Sequence, residues 1–167
     1  MGRGPVTAPL TPAEPARVTA FWHQVAPTPG PEPQSWAFGD HAELADELLA
    51  LVLEGTKTAT AGALADYEAH DEPVPESGDL SIVLDGAGEP WALLRTTHVD
   101  VRPFSEVDAE HAWLEGEGDR SLEHWREGHE RFFARSSVDG FDPSMAVVLE
   151  RFVVLHPQQV SGRSTTT

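Results

Sequence analysis

Two hydrophobic periodicities alternate along this chain, and that alternation limits it to a mixture of helices and short strands. The clearest helical stripe is Leu122, Trp125, His129, Phe132 and Phe133, spaced i, i+3, i+7, i+10 and i+11 on one face. A second helix is predicted over His41–Glu54, with Leu44, Leu48, Leu49 and Val52 on one stripe. Asp40 is its expected N-cap, Glu43 completes a capping box, and Gly55 stops it. A first helix is expected over Pro12–Val25, with Thr11 and Glu14 at capping-box spacing and Phe21 and Trp22 as anchors. Shorter helices are expected over Leu64–Ala69 and Ala109–Glu115. Strand patterns cover Leu80–Leu84, Pro90–Val101 and Ala146–Leu155, and Lys57–Ala61 reads as a short strand or turn. The first two of these strands, joined through Gly86–Gly88, form an expected antiparallel hairpin. The order does not repeat as βαβ units, so the expected class is α+β: a small barrel-like sheet flanked by several helices.

The ends and breaks follow composition. Residues 1–10 are expected to be a disordered head, 11–157 one domain, and 158–167 a disordered polar tail. Ala26–Gln34 holds four prolines and a glycine and reads as a linker or loop. A single domain of this size buries roughly 70% of its unfolded surface, enough for a core without staples. That matters because the chain has no cysteine, which removes disulfides, Cys–zinc sites and thiol nucleophiles together.

Charge narrows the partners. The formal net charge is −17, from 11 Lys plus Arg against 28 Asp plus Glu. Such a field repels phosphate backbones and anionic lipids, so no DNA and no membrane partner is expected. A small nucleoside-like ligand, or a short single-stranded RNA in a local basic cleft, remains compatible. The longest apolar run, Leu48–Leu53, is far too short to span a bilayer, and the N-terminus lacks a signal-peptide core. A cytoplasmic location is the expectation.

Chemistry concentrates around the only lysine, Lys57, just after Gly55. A desolvated lysine in a cleft acts as a base; a lysine at a helix C-terminus is also favoured by the macrodipole alone. Thr60 is a nucleophile only if a base takes its proton, and residues three apart in a regular strand face opposite ways. Glu115 and Glu117, between two helices and beside glycines, are rival acidic partners for Lys57. Arg95, of opposite parity to Leu94, is a candidate anion contact, and Trp91 a candidate stacking face. The eight histidines form no metal-binding motif, His129 fits a core position, and the His111–Glu115 pair at i,i+4 is too little for a site. No metal or cofactor is predicted, unless a ribonuclease activity requires a divalent ion held by carboxylates.

The run Leu53-Glu54-Gly55-Thr56-Lys57-Thr58-Ala59-Thr60-Ala61 resembles a signature of ASCH domains. Further resemblance lies in Pro75–Leu80, Phe104–Ala112, Glu115–Leu122 with Trp125 and His129, and Val147–Phe152. The order of these five pieces is similar to a longer bacterial branch of that family. The resemblance implies a PUA-like β-barrel with flanking helices and a role on RNA or nucleosides. Some members are similar to ribonucleases; shorter members are amidohydrolases that remove an acyl group from a modified cytidine. In the amidohydrolases a lysine, a threonine three residues on and a glutamate are active, which would correspond to Lys57, Thr60 and Glu115. Ser144 and Leu149 depart from the expected acidic and small polar residues. The implied activities are therefore a hydrolase of a modified nucleoside or related amide, a metal-dependent ribonuclease, or a non-catalytic RNA- or nucleotide-binding module.

Overall fold

The computed structural model describes residues 8–158. The disorder expected for the two ends falls mainly on residues 1–7 and 159–167, outside the described residues. Within them, Ala8 accepts a hydrogen bond from the Ala42 amide at 2.9 Å.

Eleven elements follow one another: α1 (Pro15–Val25), β1 (Gln34–Ala37), α2 (Ala42–Glu54), β2 (Ala59–Ala63), α3 (Leu64–Ala69), β3 (Leu80–Leu84), β4 (Pro90–Pro103), a 3-10 turn (Phe104–Glu106), α4 (Ala109–Glu115), α5 (Leu122–Ser136) and β5 (Ala146–His156). The strands form one sheet in the order β1-β3-β4-β5-β2. Every pairing is antiparallel except β1 with β3. The long β4 and β5 curl the sheet into a half-barrel whose free edges are β1 and β2. The α+β class with flanking helices is therefore as expected, and the barrel is half open.

Three expectations are corrected. The first helix starts at Pro15, not Pro12, because a residue preceding proline is driven out of the helical region and Pro15 then fits the first turn. Its N-cap Glu14 makes no side-chain capping bond. The second helix is capped by His41, whose Nδ1 accepts from the Leu44 amide at 3.3 Å. Asp40 is instead held by Arg135. Finally, Gln34–Ala37 is a strand at the end of the proline-rich stretch rather than loop.

Side-chain alternation divides the core. On one face of β4, Ala92 and Leu94 pack with Phe38, Phe152 and the α2 stripe Leu48, Leu49 and Val52. On the other, Leu93 packs with Val18, Phe21 and Trp22 of α1. A third cluster places Ala112, Trp125 and Phe133 of α4 and α5 against Val147 and Leu149 of β5. The site lies where the first and third clusters meet.

Candidate functional site

Backbone bonds bring Lys57 and Glu115 together. Gly55, at φ +85°, ends α2 in the left-handed conformation and turns the chain. The Lys57 amide then returns to the Leu51 carbonyl at 3.0 Å. The next residue, Thr58, donates to Leu114 of α4 at 2.8 Å and accepts from Phe152 of β5 at 3.0 Å. Glu115 follows Leu114 directly, so this splice sets the lysine beside the C-terminus of α4. Gly116 permits the close approach: a Cβ there would stand 2.6 Å from the Thr56 carbonyl oxygen.

The Lys57 side chain is 1% exposed. Its Nζ lies 3.4 Å from Glu115 Oε1, 3.4 Å from Glu117 Oε2 and 3.5 Å from the Glu115 carbonyl, with the Phe38 ring centroid at 5.4 Å. Both rival glutamates therefore reach the lysine. They are not equivalent. Glu115 is fully enclosed, and its Oε2 takes the Trp125 indole N–H. His129 Nε2 stands 3.5 Å from the same oxygen. His111 Nε2 stands 3.1 Å from it, close enough for attraction but without aligned hydrogen-bond geometry. Glu117 is partly exposed and lines the cavity above.

Burial pushes the Glu115 carboxyl up. His129 and Lys57, with the His111 imidazole close by, together outweigh that and hold it well below its ordinary range. For His129, burial lowers the imidazole, but Glu115 and then Glu117 outweigh it and raise it. His129 Nδ1 lies 2.8 Å from the Trp125 carbonyl, so that nitrogen donates and Nε2 faces the carboxylate. Lys57 and His129 thus both face the Glu115 carboxylate, which is an anchor rather than a proton carrier.

Above this cluster is a cavity of about 240 Å³, lined by Lys57, Thr60, Glu115 and Glu117 together with Phe38, Trp125 and His129. Lys57 and Thr60 converge on it because Lys57 precedes β2, so the alternation of a regular strand does not apply between them. No hydrogen bond joins them among the described residues. Arg95 and Trp91 do not line this cavity. Both are exposed and share the parity of Leu93, which faces α1, whereas the site lies on the face of Ala92 and Leu94. Trp91 donates to Asp85 at 2.7 Å. The anion contact and stacking face expected of them are absent from this cavity.

His129 is more than core filling, and Trp125 more than an apolar anchor. The i,i+4 spacing of His111–Glu115, and the resemblance carried by Glu115, Trp125 and His129, were the traces of that network in the sequence. Glu115, Glu117 and His129 also place ligand atoms within 4.8 Å of one another, a set of two hard oxygens and an imidazole suited to a divalent ion. Lys57 Nζ stands between the two carboxylates and competes for them.

This curled sheet, with a lysine buried beside the end of α4, defines a class of half-barrel α+β domain. The chain belongs to the ASCH family: the ASCH domain model matches residues 34–156. It is similar to the crystal structure of an ASCH domain from Lactobacillus crispatus JV V101, at 28% identity and TM-score 0.76 over 86% of this chain and 96% of that one. It is also similar to a protein from Enterococcus faecalis V583 carrying the family model DUF984, at 31% identity and TM-score 0.77 over 91% of this chain and 98% of that one. Curated proteins gave no match. Among the described residues, no helix is long and apolar enough to cross a membrane.

Proposed function

We propose that this protein hydrolyses an acyl amide on a modified nucleoside or a related small molecule. The observation that carries this reading is a buried amino group, a threonine hydroxyl and two carboxylates around one small cavity. Lys57 gives one proton to Glu117 and takes the proton of the Thr60 hydroxyl. Thr60 Oγ bonds to the acyl carbon, the C–N bond breaks, and the departing nitrogen takes its proton from Glu117. Water then cleaves the threonine ester, releasing the acid. Glu115, held by four neighbours, orients Lys57 throughout. The acidic surface suits a substrate without phosphate.

The test is turnover of a panel of N-acylated cytidines and small amides. Lys57→Ala is expected to lose activity by roughly three orders of magnitude or more. A panel left intact by the wild-type protein sinks the reading.

The convergence of Glu115, Glu117 and His129 favours a second reading, a divalent-metal ribonuclease. It requires the ion to displace Lys57. Single-stranded RNA cleaved only with Mg²⁺ or Mn²⁺, and spared by chelator, would select it; RNA intact after long incubation removes it.

A further inference from the structure

The half-barrel leaves a second void that the Lys57 chemistry does not use. It is a groove of about 1110 Å³ running between the free edges β1 and β2. Trp36 and Tyr67 are among its walls. The Tyr67 ring lies over Gly62, where a Cβ would meet it at 3.1 Å. The groove meets the Lys57 cavity at Phe38, Gly39, Thr60, Ala61 and Phe132, which line both. Thr60 is the only proposed reactive residue on that junction.

Directly opposite Thr60 across the β2–β5 ladder is Glu150. Side chains in that relation share a face and stand near one another. Glu150 is only 7% exposed, yet it lines the groove. The Thr96 hydroxyl donates to its Oε1 at 2.6 Å. A carboxylate offers about four acceptor positions, and among the described residues no other protein donor bonds to this one. A buried carboxylate so lightly satisfied is stabilised by a donor supplied from the groove. Burial also raises its carboxyl above the ordinary range, with Thr96 opposing.

We propose that this groove binds the heterocyclic part of the substrate, an uncharged planar ring bearing an exocyclic amino N–H, and that Glu150 is the acceptor that selects it. The proposal rests on the hydrolase reading, because Thr60 would then attack where the acyl end leaves the groove for the Lys57 cavity. The flat walls of Trp36 and Tyr67 suit an aromatic ring. Asp66, Glu72 and Asp79 also line the groove and disfavour a phosphorylated ligand. The expected ligand is therefore a free amino-bearing nucleoside rather than a nucleotide.

The experiment is calorimetric titration of the full chain with cytidine, with the riboside lacking the exocyclic amine, and with cytidine 5′-monophosphate. Cytidine is expected to bind roughly tenfold or more tightly than either of the others. Glu150→Gln should bring cytidine close to the amine-free riboside, because the amide can turn its own N–H toward the ligand. Equal cytidine affinity in wild type and Glu150→Gln overturns the proposal, and so does absence of cytidine binding by wild type. Binding selective for cytidine without turnover of any acyl derivative would sink the hydrolase reading and keep the groove. Turnover of acyl-cytidine unaltered in KM by Glu150→Gln would do the reverse.

Discussion

Removing the Lys57 ammonium leaves two carboxylates facing each other at a buried point, one of them fully enclosed. Lys57→Met is therefore expected to cost about 3 kcal/mol, the scale for orphaning a buried charge. Denaturant unfolding of the wild type and variant measures it, and an unchanged midpoint would mean that the pair carries no stability. The same cluster sets a pH dependence. The Glu115 carboxyl is depressed, so its contribution is present above the ordinary 4.5 and is lost as pH falls toward the folded value. The His129 imidazole is raised, so its contribution is complete below the ordinary 6.5 and is lost as pH rises through the folded value. Stability is expected to peak between those limits. In His129→Gln the decline on the alkaline side should flatten. Midpoints measured across pH for both proteins check this; identical alkaline limbs would contradict it. At this scale the sequence was informative where chemistry is rare: a lone lysine stands out in a chain with ten arginines. It did not reveal the role of His129, because a histidine on an apolar stripe looks the same whether it fills space or faces a carboxylate from another helix.

Elements place these groups through two glycine turns. Gly55 and Gly116 both adopt positive φ, and Gly116 in addition presses against the Thr56 carbonyl. Gly55→Ala is expected to cost about 1 kcal/mol, the ordinary conformational penalty. Gly116→Ala should cost more, because backbone must move as well, and that movement carries Glu115 and Glu117 away from Lys57. Comparing the two variants by unfolding and by turnover tests this; equal losses would mean that the close approach is not what seats the glutamates. Helix ends were legible where the pattern was local, as at Gly55 and at Gly116 after Glu115. They were less so where proline geometry or a distant partner intervened. Arg135, far along the chain, takes Asp40 from the capping role and leaves it to His41. The strand Gln34–Ala37 is four residues long beside a proline-rich stretch, too short to show a period of two.

For the whole molecule, 28 acidic side chains on one chain repel one another. Added salt screens that repulsion, with a screening length near 30 Å at 0.01 M and about 10 Å at 0.1 M. The thermal midpoint is therefore expected to rise with NaCl over that range. A falling midpoint would show that specific ion pairs outweigh the net field. The α+β class, a barrel-like sheet and every strand but β1 were readable in the sequence, but that the barrel stays half open was not. Closure depends on which edges meet across space. The same limit explains Arg95 and Trp91: parity along β4 was clear, yet which face carries the site depends on where α1 and α2 pack.

Mass spectrometry of protein quenched during reaction with N4-acetylcytidine tests the central chemistry most directly. A wild-type adduct of one acetyl group on the peptide containing Thr60, absent in Thr60→Val and in Lys57→Ala, is the predicted result. Release of free acetate at the wild-type rate by Thr60→Val would contradict the account.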